Sequence, residues 1–430
     1  MSTPTNSTTT TSTTAQDNLS SSTTRKRSGT MSTGAAIGIA VILLIVGLAG
    51  GYFIGHQTST TTNSSSSSKP ALTEAGSSLL YPLITQWAGN YSGATISGGA
   101  QGSGTGQSDA ELGLVNMGGS DGYLTNASQT SLINVPVAIS AQLIFYNLPG
   151  ISGHLNLNGT ILAMIYDGNI TTWNNPLILA ANPTQATALG TLASETISPI
   201  VRSDSSGDSF LFSSYCYMSW PGWTFGFGTK VLETDPAATG AVGNSGVVSA
   251  LEGTKNSIGY VGISYEASAL SGGLTYAALG TNAANSASGG IVASNYILPS
   301  AANVSQDANL GLQKLDFAQY QLATSLIMGG PAAGSINLTL GGGGTNPTTA
   351  YPTPYPDANL EYILIKTAAT GSVVTSSNLA ATVAFLEWAI STGNYASGSA
   401  QSQWITNVNF VPLTPAVIGL DMEELGTVTT

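Results

Sequence analysis

Charge is scarce in this chain: Asp, Glu, Lys and Arg make up 7% of its 430 residues, against roughly 25% in ordinary soluble proteins. Apolar residues still reach 42%, so this is not a disordered composition, and Ser, Thr, Asn and Gly have taken the place of surface charge. A single cysteine, Cys216, excludes an intramolecular disulfide framework. Its place at helical spacing suits a small buried apolar side chain. The two histidines, His56 and His154, cannot form a histidine-rich metal cluster with it. The charge that is present is one-sided, net −12 at pH 7. That argues against nucleic acid as a partner, which needs a basic face. Arginine is rarest of all: past residue 54 there is only Arg202.

Arg202 stands in the stretch Ile200-Val201-Arg202-Ser203-Asp204-Ser205-Ser206-Gly207-Asp208-Ser209-Phe210. Ile200 and Val201 read as the end of a strand. Small hydroxyl residues and a glycine make a turn, and Phe210, Leu211, Phe212, Tyr215, Tyr217 and Met218 continue as an apolar helical run. Strand, polar turn and helix form a layout whose free backbone N–H groups can face an anion. The guanidinium adds a permanently charged fork of donors, suited to oxyanions held in fixed geometry. The plainer alternative is a local pair of Arg202 and Asp204 at a turn.

Length allows two or three domains. Residues 1–34 are rich in Ser and Thr, carry Arg25-Lys26-Arg27 and show no periodicity; a disordered cytoplasmic tail is expected there. Residues 35–54 contain no charge, and as a helix they are long enough to cross roughly 30 Å of hydrocarbon. With the basic cluster before them, the positive-inside rule sends the rest of the chain outside the cell. A cleaved signal peptide is the rival reading. The apolar run is long for one and shows no clear small-x-small cleavage site, so an uncleaved anchor is expected. Residues 55–70 read as a Ser/Thr-rich stalk. Glycosylation sequons at Asn63, Asn90, Asn126, Asn158, Asn169, Asn303 and Asn337 agree with a location at the cell surface.

From residue 71 onward the pattern becomes that of a folded domain. Leu80, Ile84, Trp87 and Tyr91 mark one helix face, with Ser77 and Ser78 where N-caps belong. Thr95-Ile96-Ser97 reads as a short strand entering a glycine-rich loop, 98–106. That loop lacks the lysine of a P-loop and the spacing of a dinucleotide fingerprint, yet it lets backbone approach a ligand closely. Strands are expected over 115–121, 135–146, 258–261 and 362–365, and helices over 160–166, 310–327 and 381–390. Residues 341–355, rich in Gly, Pro and Thr, read as a connector. This alternation argues for an α/β fold with open sheets.

Seven stretches then appear in a fixed order: Ala75-Gly76-Ser77-Ser78, Tyr81-Pro82-Leu83, Gly102-Ser103-Gly104, Gly119-Ser120-Asp121, Arg202-Ser203-Asp204-Ser205-Ser206-Gly207, Gly243-Asn244-Ser245-Gly246-Val247 and Ser257-Ile258-Gly259-Tyr260-Val261. The set resembles the phosphate-binding protein of phosphate ABC importers, over about residues 71–415. The resemblance implies a two-lobed periplasmic-binding-protein-like fold of type II, the cluster type. Lobe I would be 71–139 plus 356–430 and lobe II 140–355. The chain would cross between them near 137–141 and 355–356, and the lobes would close like a hinge.

The resemblance further implies a site. Ser78 and the N–H of Leu79 would bind phosphate, Ser103 would donate, Asp121 would accept from the ligand, and Arg202 would give a charged bidentate contact. Ser206, Gly207 and Asp208 would line it, with Asp204 orienting Arg202. No cofactor, no metal and no chemistry on the ligand are implied. The implied partners are inorganic phosphate and a membrane permease, bound by a monomer.

Two departures stand out. Ser78-Leu79 replaces the usual Thr before an aromatic, and Asp208 stands where Thr is usual. Asp208 has two readings: a second acceptor for doubly protonated phosphate, or a helix cap with its carboxylate turned away. Other functions stay open, namely another tetrahedral oxyanion, a phosphatase built on Ser206 or Ser209, and a surface adhesion protein. The phosphatase would need a base beside its serine, and neither histidine has an obvious orienting acid.

Overall fold

Short strands rich in small and β-branched residues, each running into a helix, build the frame. The computed structural model describes residues 69–124, 131–192, 194–229, 238–280, 296–305, 355–391 and 400–430, all within one compact unit, Ser68–Thr430. The expected anchor over 35–54, the helix over 310–327 and all but the last residue of the 341–355 connector lie outside the described residues. Among the described residues no helix is long and apolar enough to cross a membrane.

In chain order, β1 (Ala71–Gly76) leads to α1 (Tyr81–Asn90), and β2 (Thr95–Ser97) to α2 (Ser103–Leu112). Next come β3 (Met117–Ser120) and the long β4 (Leu132–Asn147). After β5 (Asn156–Leu157) and α3 (Gly159–Tyr166), β6 (Ser198–Arg202) enters α4 (Gly207–Ser219), and β7 (Thr239–Ala241) enters α5 (Gly243–Gly253). There follow β8 (Ser257–Gly262), β9 (Thr275–Tyr276), β10 (Ala278–Gly280), β11 (Tyr296–Ile297), β12 (Ala358–Lys366), α6 (Ser376–Ile390) and α7 (Pro415–Leu425).

The main sheet runs β2-β1-β3-β12-β4-β8-β6-β7, with β9 on β4, and β11-β10-β5 form a small second sheet. Strands β2, β1 and β3 are parallel, and so are β8, β6 and β7. Between these two groups, β12 and β4 pair antiparallel over Ala358–Lys366. Strand β4 is shared: residues 132–141 pair with β12, and 142–147 pair with β8. Two parallel βα groups are thus joined by two long strands. Loops at the carboxyl ends of parallel strands are where such sheets bind ligands.

Helix α6 starts earlier than its apolar face suggests, because Thr375 caps it, accepting from the Asn378 N–H. Its Phe385 packs edge-on against Trp87 of α1, with ring centroids 6.1 Å apart. Behind β6, Phe212 of α4 stacks on Tyr260 of β8 at 4.6 Å. Cys216 is buried in the same helix. At the start of α1 the expected serine caps are displaced: the N-cap is Leu80, and Ser77 Oγ instead accepts the Leu80 N–H at 3.0 Å. The sequon at Asn158 is a second correction. Asn158 is buried and caps α3, accepting from the Ile161 N–H at 2.9 Å, so it presents no free amide for a glycan.

Candidate anion site

The loops after β1, β3, β6 and β7 converge on one buried cluster. Arg202, the last residue of β6, is 0% exposed. Its backbone N–H donates to the Tyr260 hydroxyl at 3.0 Å, and that hydroxyl pairs with Ser209 Oγ at 2.9 Å. A stacked aromatic pair therefore fixes the strand end from which the guanidinium departs. Nε donates to Asp204 Oδ1 at 2.7 Å and Nη2 to Asp204 Oδ2, a bidentate pair. Asp204 also accepts the Gly243 N–H at 3.1 Å. On its other side, Arg202 Nη1 donates to Asp208 Oδ2.

Asp208 does not cap α4. The cap is Ser206, whose Oγ accepts the Asp208 N–H at 3.0 Å. Asp208 sits in the first turn with its carboxylate aimed into the cluster, 0% exposed. Besides Arg202, it accepts from Asn244 Nδ2 at 2.8 Å, Ser206 Oγ at 3.3 Å and Gln142 Nε2 at 3.4 Å. The reading in which its carboxylate turns away is corrected. Ser206 stands two residues earlier and takes the capping role, which releases Asp208 for the arginine.

Asp121, just after β3, comes from the other group of strands. Ser77 Oγ donates to its Oδ1, and Ser103 Oγ donates to Oδ2 at 3.2 Å. Gly207 lies so close that an added Cβ would stand 2.4 Å from Asp121 Cβ. Ser78 Oγ accepts from Asn244 at its N–H (3.1 Å) and its Nδ2 (3.0 Å). The Leu79 carbonyl accepts from Ser264 Oγ at 2.8 Å, while the Leu79 side chain is buried. Gly104 N–H donates to the Ser205 carbonyl at 3.1 Å. All the residues singled out from the sequence, Ser78, Leu79, Ser103, Asp121, Arg202, Asp204, Ser206, Gly207 and Asp208, fall in this one neighbourhood.

The electrostatics are lopsided. One guanidinium faces Asp204, Asp208 and Asp121. Burial and the nearby Asp208 charge push the Asp121 carboxyl up to about 6. Burial also raises Asp208 above the usual aspartate range, against the pull of Arg202. Asp204 is more exposed, and although burial opposes it, the Arg202 contact holds its carboxyl below that range. Burial works against the Arg202 charge as well, but its bonds to Asp204 and the charge of Asp208 raise its pKa further. A fixed cation with hydroxyl and backbone donors beside it can hold an oxyanion. The surplus of carboxylates requires that this anion bring its own protons.

The family model of the PBP superfamily domain matches residues 56–392. The chain belongs to that superfamily. It is 36% identical over 214 residues to a phosphate-binding protein PstS of Xylella fastidiosa (strain 9a5c), covering 48% of this chain and 57% of that protein. Against the PstS of Haemophilus influenzae it is 34% identical over 201 residues, 45% of this chain and 59% of the other. The chain thus spans little more than half the length of these relatives. A phosphate binding protein from Stenotrophomonas maltophilia shares the fold, with TM-score 0.54 and 17% identity over 82% of this chain and 93% of that one. So does an ancestral soluble variant of the human phosphate binding protein, with TM-score 0.57 and 20% identity over 81% and 92%.

Membership in this superfamily agrees with the two parallel βα groups of the main sheet. It leaves several residues that the sequence did not single out as contacts. Asn244 ties Ser78, Asp208 and the Gly262 N–H together, the last at 2.7 Å. Its signal was the Gly243-Asn244 pair opening a helix. Ser77, rather than Ser78, serves Asp121. Gln142 Nε2 bonds the Asp208 carbonyl at 2.8 Å, and no local pattern announces it inside an apolar strand.

Proposed function

We propose that this protein captures inorganic phosphate outside the cell and delivers it to an ABC permease for import. The observation that carries this reading is the buried Arg202, flanked by hydroxyl and backbone donors, with the Asp121 carboxylate presented from the opposite group of strands. The PstS relatives, named as phosphate-binding proteins, support it. Donors for phosphate oxygens would be Arg202, Ser78, the Leu79 N–H, Ser206 and the Gly207 N–H. Ser103 would line the site with its proton held by Asp121, and Asp204 would hold the guanidinium in plane. Asp121 would accept one P–OH. Sulfate has no proton to give at neutral pH and would leave Asp121 facing a bare oxyanion.

Asp208 extends this reading. Its bonds to Arg202 and Asn244 occupy donors that a guest would use, so the guest must exchange with it. Monoanionic H2PO4− can do so, donating one P–OH to Asp121 and the other to Asp208. Lobe I (71–139 plus 356–430) and lobe II (140–355) would close because donors from both share one anion. An anchor at 35–54 and a stalk at 55–70 would hold the domain at the cell surface as a monomer. Glycans would be carried at sequons other than Asn158. Calorimetric titration of the purified full chain with phosphate, arsenate and sulfate tests the reading. Phosphate and arsenate should bind and sulfate should not; equal binding of sulfate, or no phosphate binding, would sink it.

A further inference from the structure

The two long strands that join the groups carry polar residues at alternate positions, on one face: Ser140 and Gln142 on β4, and Asn359 and Glu361 on β12, with Asp357 just before it. All are buried, with Ser140, Gln142 and Glu361 at 0% exposed. Polar side chains in the middle of a sheet are costly to bury unless they serve a partner. Here they support the two carboxylates of the anion site from beneath. Gln142 bonds Asp208, and Asn359 Nδ2 donates to the Asp121 carbonyl at 2.8 Å.

Glu361 has the most specific geometry. Its Oε1 accepts from Ser140 Oγ at 2.5 Å and Asn359 Nδ2 at 3.1 Å. Its Oε2 is buried and receives no donor. The Glu361 carboxyl stands within hydrogen-bonding reach of the Asp121 carboxyl. Two buried carboxylates in contact cannot both stay charged. Asp121 already accepts a hydroxyl on each oxygen, so the proton belongs on Glu361. Burial and the Asp121 charge hold the Glu361 carboxyl well above the usual glutamate range. Asp208 also acts on it, Arg202 lies beyond Asp121, and Tyr362 is its chain neighbour.

We propose that Glu361 is a positioning and specificity residue for the anion: its Oε2–H donates to Asp121 and leaves Asp121 one lone-pair direction for reading a proton on the guest. This rests on the phosphate reading above and deepens it. A carboxylate has about four acceptor directions. With Ser77, Ser103 and Glu361 each taking one, the last is fixed in space and accepts only from an anion that carries a proton. When Glu361 ionises, Asp121 loses that donor and gains a like charge, and the guest is repelled.

Calorimetry with inorganic phosphate on the full chain, from about pH 6 to about pH 10, compares wild type with Glu361→Gln and Glu361→Ala. The glutamine can accept from Ser140 and donate its amide to Asp121. It should bind within about threefold of wild type at the acid end, less than the worth of one hydrogen bond. Wild type should then weaken relative to the glutamine variant by up to about tenfold per pH unit once Glu361 ionises. The alanine variant should bind at least about tenfold more weakly throughout. The infrared band of a protonated carboxyl, present in wild type near neutral pH, should shrink in Glu361→Gln. Parallel profiles for wild type and the glutamine variant, or an unchanged band, overturn the proposal. Should the wild type bind no phosphate, the functional reading falls instead, and the infrared comparison still decides where the proton sits.

Discussion

Replacing Asp208 by asparagine removes one buried negative charge while keeping the side-chain volume beside Arg202. In the wild type that carboxylate accepts from Arg202, Asn244 and Ser206. A dianionic guest seated on the same donors would face it at close range. Two like charges about 4 Å apart cost about 4 kcal/mol at an effective dielectric near 20. With the Arg202 charge offsetting about half of that, about 2 kcal/mol remains, or about thirtyfold in affinity. The wild type avoids the cost at acid pH, where phosphate brings a second proton and the raised pKa of Asp208 itself favours a neutral acid. Phosphate affinity of the wild type should therefore fall between about pH 5 and about pH 8. In Asp208→Asn the fall should be shallower, with binding about thirtyfold tighter than wild type at the alkaline end and little changed at the acid end. Losing the Asp208 charge also lowers the Asp121 pKa in the variant, so the comparison is read at the alkaline end, where Asp121 is charged in both proteins. Isothermal calorimetry at several pH values reads this directly. A wild-type affinity that climbs steadily with pH, or a variant that tracks the wild type throughout, would refute the reasoning.

Further outcomes concern the arginine and the core. Arg202→Lys keeps the charge but loses the planar fork held by Asp204; phosphate binding should weaken by about tenfold to a hundredfold, the worth of one charged hydrogen bond, as read by the same titration. Glu74 of β1 is pushed up to about 8 by burial, which its bond from the Gly99 N–H only partly offsets. Because the folded state holds this proton more tightly than the unfolded chain, stability is greatest below the ordinary glutamate range. It declines as pH rises toward 8, by at most about 1.4 kcal/mol per pH unit, and is level beyond. Denaturant unfolding of Glu74→Gln across that window should show a flatter decline than wild type. An identical slope would place the titration elsewhere.

Much of the site was legible because its parts are local. Ile200 to Phe210 announces a strand, a hydroxyl-rich turn and a helix, and the structure has strand Ser198–Arg202, a Ser206 cap and helix Gly207–Ser219. The pairing of Arg202 with Asp204, two residues on, follows from the same short stretch. Asp208 was ambiguous, since Ser206 and Asp208 are both good caps and a sequence does not say which one the helix uses. Asn158 misled for a similar reason: a sequon and a helix cap can be the same residue, and only burial tells them apart. The polar face of the central strands was hidden because Ser140 and Gln142 interrupt a run that hydropathy reads as uniformly apolar.

By itself, the sequence determined the βα alternation, the scarcity of charge, and the order of small-residue turns that end in Ser78, Asp121, Arg202 and Asn244. Those are set by neighbours a few residues apart, through backbone propensity and capping. The tertiary structure alone decided that Asn244 bonds Ser78 from 166 residues away, and that Ser140 meets Glu361 across 221. Burial then sets the protons, because desolvation and contact between like charges arise only when the two groups of strands are brought together.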